Sequence, residues 1–106
     1  MTGPAHSSAA ALWNLMVEKA QERRTVTYGD AAAKVGGIAR GLGATLRPIQ
    51  AYCKANRLPN LSVLVVKADS GKQGSGFTDD PKREKMLVFG HDWRTVANPF
   101  EARSDS

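Results

Sequence analysis

The stretch from Thr25 to Leu46, TVTYGDAAAKVGGIARGLGATL, decides how the chain is read. Thr27 is placed as a helix N-cap, with Asp30 three residues on in the arrangement of a capping box. Ala31, Ala32 and Val35 give that helix a small apolar face, and Gly36-Gly37 stops it, glycine being suited to the left-handed conformation in which many helices end. Ile38, Leu42 and Leu46 then recur at a spacing of four, one side of a second helix with Arg40 near its start. Two short helices joined across a glycine turn form a helix-turn-helix, whose second helix commonly enters a DNA groove. Two packed helices with no nucleic-acid role satisfy the same pattern.

Working outward to the N-terminus, MTGPAHSS at residues 1–8 is small, polar and Pro/Gly-containing, and is expected to be a tail. Ser8 is the expected cap of a first helix in which Leu12, Trp13, Met16, Val17 and Ala20 share a face. Trp13 lies inside that stripe and reads as a core anchor. Toward the C-terminus, Arg47-Pro48 interrupts the pattern, and Pro48 suits the first position of a further helix with Ile49, Tyr52 and Cys53 inward. Asn56 to Pro59 ends it. The run Leu61 to Lys67 (LSVLVVK) is almost continuously apolar and predicts a strand buried on both faces. Asp69-Ser70-Gly71 is a turn, and the glycines at 71, 74 and 76 predict a hairpin or wing whose backbone lies close to something. Asp80 and Pro81 start a last helix, in which Met86 and Leu87 are expected inward and Lys82, Arg83 and Lys85 solvated. Trp93, Val96 and Phe100 add a closing segment, and residues 101–106 are a polar tail.

The 106 residues suit one domain, spanning residues 9–100, with 42% hydrophobic and 24% charged residues. Fifteen basic residues against ten acidic give a net charge of +5 and a pI near 9.7, which favours a polyanionic partner. No apolar run reaches membrane-spanning length, and the N-terminus lacks a signal-peptide layout. Cys53 is the single cysteine, which rules out an intrachain disulfide and fits a cytoplasmic location. Its position on an apolar face reads as packing. His6 and His91 have no partners at metal-ligand spacing, so neither a metal nor a cofactor is expected.

The order of these segments is more specific than any one of them. An apolar helix with a tryptophan, then RTVTYGDAAAKVG, ARGLGATL, LPNLSVLVVKADSGKQGSGF and a charged helix resembles the DNA-binding domain of the alkylguanine-DNA alkyltransferases and of the non-enzymatic alkyltransferase-like proteins. The likeness runs from about Leu12 to Val88. It implies a mainly α fold with a small β hairpin, a winged helix-turn-helix. It also implies that Tyr28 lies beside the phosphate of a rotated nucleotide and that Arg40 fills the space of a flipped base. Ser62 falls near the family's reactive cysteine, with Val63 and Leu64 in place of the histidine and arginine that follow it. The PCHRV segment is therefore absent, and the interval from Leu46 to Leu58 is longer than the family's.

Alkyl transfer requires a thiolate activated by a neighbouring base, so no enzymatic activity is expected and Ser62 is only a pocket candidate. The expected function is non-catalytic binding of double-stranded DNA, with damaged or flipped bases as possible targets. Tyr28, Arg40, Thr45 and Arg47 would act around the helix-turn-helix, and Lys67 and Lys72 on the wing. The alternative is a protein-binding or regulatory module, transcriptional or associated with mobile elements, that keeps the fold without flipping a base.

Overall fold

A computed structural model describes residues 4–36, 41–74, 77 and 79–100. It is mainly helical: α1 (Pro4–Glu22), β1 (Val26–Thr27), α2 (Tyr28–Val35), α3 (Leu42–Ala55), a 3-10 turn at Leu61–Leu64, β2 (Val65–Val66), α4 (Pro81–Gly90) and a 3-10 turn at Trp93–Thr95. No helix among the described residues is long and apolar enough to cross a membrane.

The cap and the stop of α2 form as expected, although among the described residues the Asp30 carboxylate makes no return bond to Thr27 and the capping box is half made. Thr27 Oγ1 accepts from the Asp30 amide at 3.1 Å, and Gly36 closes the helix at φ 79°, where a side chain would be strained. Gly37, Ile38 and Arg40 lie outside the described residues. Further on, α3 departs from expectation. It runs unbroken through Pro48, joining what the sequence divides into two helices. Proline there removes the bond to the carbonyl of Ala44, a defect of about 3 kcal/mol or more in a helix interior. Leu42, Leu46, Ile49 and Cys53 are all buried at spacings of four, three and four. One continuous stripe against α1 and the 61–64 turn outweighs the break. The first helix likewise begins at Pro4, ahead of the cap expected at Ser8.

Both α1 and α3 end in an arginine with left-handed backbone, Arg23 at φ 58° and Arg57 at φ 57°. In each case the following amide reaches back to a carbonyl in the last turn, Arg24 to Lys19 at 2.9 Å and Leu58 to Cys53 at 2.8 Å. These are Schellman closures in which glycine would be the less strained residue.

The β structure corrects a second expectation. β1 and β2 pair in parallel, Val26 with Val65 and Thr27 with Val66, so the sheet is a two-strand parallel pair and not a hairpin. Only Val65 and Val66 of the apolar run are strand, because the Asn60 side chain caps residues 61–64 into a 3-10 turn. The run is buried from Leu61 to Val66, as read, and Lys67 at its end is exposed. An unbroken apolar run reports burial on all sides without choosing between strand and helical turn.

Trp13 is the hub of the core. Its ring meets Tyr52 edge-on at 5.7 Å, Trp93 at 6.0 Å and Phe100 at 6.2 Å, tying α1 to α3 and to the C-terminal segment. Trp93 Nε1 donates to the Val88 carbonyl at 2.9 Å, which closes that segment onto α4. On α4 itself, Met86 and Leu87 are 68% and 41% exposed, against the expectation that they pack inward. Asp80 and Pro81 set the phase of the helix so that Glu84 and Val88 face the core, and Met86 lies about 200° around from Glu84. Lys85, expected in solvent, is half-buried.

Candidate nucleic-acid interface

Tyr28 occupies the first turn of α2, half-buried against the core cluster. Its phenol lies directly against Gly74. A β-carbon at position 74 would overlap the Tyr28 hydroxyl oxygen and sit 3.2 Å from Cζ. The close backbone approach that the glycine-rich segment implies is therefore an approach to Tyr28. Gln73 Nε2 fixes the same segment by donating to the Val63 carbonyl at 2.8 Å.

Just before Gly74, the chain folds into a tight loop. The Gly71 amide donates to the Lys67 carbonyl and the Lys67 amide to the Lys72 carbonyl, each at 2.8 Å, with Gly71 at φ 70°. Lys67 and Lys72 thus flank one closed turn with both side chains exposed. Tyr28, Lys67 and Lys72 are brought into one neighbourhood. Thr45, half-buried, and Arg47, exposed, stand on α3, whose packing partners are α1 and the 61–64 turn. Arg40 is outside the described residues. The two ion pairs among the described residues, Lys19–Glu22 at 3.5 Å and Arg94–Asp92 at 3.0 Å, involve neither Arg47, Lys67 nor Lys72.

Ser62 is 4% exposed, and its hydroxyl and amide both donate to Asn60 Oδ1. Asn60 is itself a buried junction. Its amide donates to Glu84 Oε1, and its Nδ2 to Gln50 Oε1 and Asp79 Oδ2, all at 3.0 Å. Ser62 is therefore part of a cap that joins α3, the 61–64 turn and α4. A polar cleft of about 150 Å³ beside it is lined by Lys54, Arg57, Asn60, Asp79 and Glu84, among others, and Ser62 does not reach it. The sequence signal for this junction is an asparagine immediately before an apolar run, a cap signature that the strand reading obscured.

Cys53 is wholly buried, and burial pushes its thiol up to about 11 from an ordinary 9.0. A hydrogen bond from the Leu61 backbone opposes the rise, and the negative charge of Glu84 adds to it. A thiol held protonated in this way is inert at neutral pH.

A larger groove, about 430 Å³, is lined by Lys19, Thr25, Val26, Thr27, Asp30, Ala33 and Lys34. Nothing in the spacing of these residues announces it. No family model, curated protein or solved structure matches the chain.

Proposed function

We propose that the protein is a non-catalytic DNA-binding domain of winged helix-turn-helix type, with the Lys67–Lys72 loop as its wing and α3 as its recognition helix. The observation that carries the reading is the loop itself. Two exposed lysines without ion pairs among the described residues are fixed through Gly74 to Tyr28, at the start of the helix-turn-helix. Cations carried on a loop closed by its own backbone attract phosphates and release counterions. Arg47 adds a third such cation on α3. The resemblance to alkyltransferase-like proteins supplies the further element of the reading, Arg40 as a wedge at an extruded base. The employment of the Ser62 hydroxyl and the protonated state of Cys53 favour binding without covalent chemistry.

The test is binding to a fluorescent duplex, intact or carrying one O6-alkylated guanine, measured across salt. Three phosphate contacts, from Lys67, Lys72 and Arg47, give a slope of about −2.7 in log K against log salt, a loss of roughly 40-fold between 50 and 200 mM. Lys72→Ala weakens both duplexes alike, whereas Arg40→Ala weakens the alkylated duplex more. Affinity that is flat in salt refutes the phosphate contacts, and no binding at low salt refutes DNA binding. An equal loss on both duplexes for Arg40→Ala refutes the wedge alone.

A further inference from the structure

We propose that the groove between β1 and α2 receives an extended acidic peptide segment, which adds to β1 as a third strand. Three consecutive residues, Thr25, Val26 and Thr27, line this groove, although the Val26 side chain is buried in the core at 7% exposure. Val26 therefore meets the groove through its main chain. The groove lining among the described residues includes nothing from β2, so the groove runs along the edge of β1 that no described strand pairs with. A strand's N–H and C=O groups alternate between its two edges, and those on an open edge are a template for another strand.

The walls determine the occupant. Asp30, Ala33 and Lys34 of α2 form one side, at one-turn spacing, and Lys19 at the end of α1 forms another. A strand edge facing a helix across a groove is the geometry of β-augmentation, in which main-chain hydrogen bonds give affinity and side-chain contacts give specificity. A volume of about 430 Å³ lies within the usual range for ligand sites. Ala33, small and exposed midway along the helix wall, leaves room for a side chain of the incoming strand. Lys34 is exposed and in neither ion pair among the described residues, and Lys19 is only loosely engaged with Glu22 at 3.5 Å. A carboxylate on the incoming segment is attracted to both, against the single opposing charge of Asp30 on the α2 wall. A second copy of this chain pairing β1 with β1 antiparallel would set the lysines of one groove against those of the other, which disfavours self-association. None of Tyr28, Arg47, Lys67 and Lys72 lines this groove, so failure of peptide binding and failure of DNA binding are distinguishable.

The probes are two blocked peptides, acetyl-VEVEV-amide and acetyl-VKVKV-amide, titrated into the 15N-labelled full chain. The expected result is saturable amide shifts at residues 25–27 and 33–34 with the acidic peptide, slowed hydrogen exchange within residues 25–27, and no saturation with the basic one. Ala33→Trp, which fills the groove, abolishes the shifts. Lys34→Glu weakens the acidic peptide by at least about 10-fold. Both positions are exposed, and melting like the parent establishes that each variant is folded. The contrast between the two peptides on the unaltered protein stands without either variant. Equal binding of the two peptides, shifts that map elsewhere (the Met86–Leu87 face of α4, for example), or no shifts at millimolar peptide overturn the proposal. Shifts at residues 25–27 that depend on protein concentration without peptide identify a second copy as the occupant and overturn it equally.

Discussion

Replacing Asn60 by alanine removes the acceptor for two buried donors at once, the Ser62 amide and the Ser62 hydroxyl. A buried donor left without a partner costs about 1–3 kcal/mol. The hydroxyl can rotate toward another acceptor while the amide cannot, which puts the loss for Asn60→Ala near 3 kcal/mol. Gln50 and Asp79 also lose their donor, but Asp79 is exposed and rehydrates. Against a total stability of roughly 5–15 kcal/mol for a domain of this size, that is a large fraction. With a urea m-value of about 1.5 kcal/mol/M, the midpoint falls by about 2 M. Ser62→Ala removes only the hydroxyl and keeps the amide on Asn60 Oδ1, so it costs about 1 kcal/mol. Combining the two changes costs less than their sum, because the hydroxyl is no longer there to be stranded. Asn60→Asp keeps the cap but sets a carboxylate beside those of Asp79 and Glu84, and its loss shrinks on acidification as protonation relieves the repulsion. The reference is Asn56→Ala, whose side chain makes an exposed bond to the Tyr52 carbonyl. If Asn60→Ala shifts the midpoint no further than Asn56→Ala, the junction does not hold the fold together and the reasoning fails.

Two other outcomes follow from the packing. Gly74→Ala drives a β-carbon into the Tyr28 phenol and lowers stability by about 1–3 kcal/mol, and Tyr28→Phe in the same chain restores part of the loss by removing the hydroxyl oxygen. A neutral Gly74→Ala, or no rescue by Tyr28→Phe, refutes that contact. Cys53 sets an alkaline limit: with a folded value of about 11 against 9.0 when unfolded, the thiol's contribution is complete below pH 9. It is lost as pH rises through 11, a fall of about 3 kcal/mol that Cys53→Ala does not show. Parallel decline of the parent and Cys53→Ala in urea unfolding across pH 8–11 counts against it.

What the sequence reveals here is what depends on near neighbours. The Thr27 cap and Gly36 stop are decided within a few residues, and the Trp13 stripe follows from helical spacing. The glycine segment announces a close backbone approach without saying to what, since Tyr28 is more than forty residues earlier in the chain. The parallel pairing of Val26 with Val65 is a non-local fact that no window around either residue contains. The continuity of α3 through Pro48 depends on α1 and the 61–64 turn being there to receive its stripe. The phase that Asp80 and Pro81 give α4 is held by Glu84 accepting from the Asn60 amide, and it overrides the apolar character of Met86 and Leu87. Of the site residues, the exposed cations are legible because charge favours the surface. Ser62 is misleading, because a serine in an apolar run looks the same whether it lines a pocket or serves a cap.

The use of Ser62 as part of a cap bears on how damage would be sensed. An extruded base needs a pocket that stacks on its faces and hydrogen-bonds its edge. Beside Asn60, among the described residues, is only a cleft of about 150 Å³ edged by Lys54, Arg57, Asp79 and Glu84. Preformed ligand sites usually exceed about 300 Å³ and are largely apolar. Preference for an alkylated duplex would then arise mainly from the duplex. A damaged pair unstacks and bends at lower cost, and on the proposed reading a protein that inserts Arg40 and holds phosphates with Lys67, Lys72 and Arg47 would gain that difference without reading the lesion. On this account the preference is modest and is shared by mismatched pairs of similar deformability. It also survives loss of the cleft: Lys54→Ala and Asp79→Ala leave the ratio of damaged to intact affinity unchanged, measured in the same duplex assay on variants that melt like the parent. A ratio that collapses in either variant refutes this account and places recognition in the cleft.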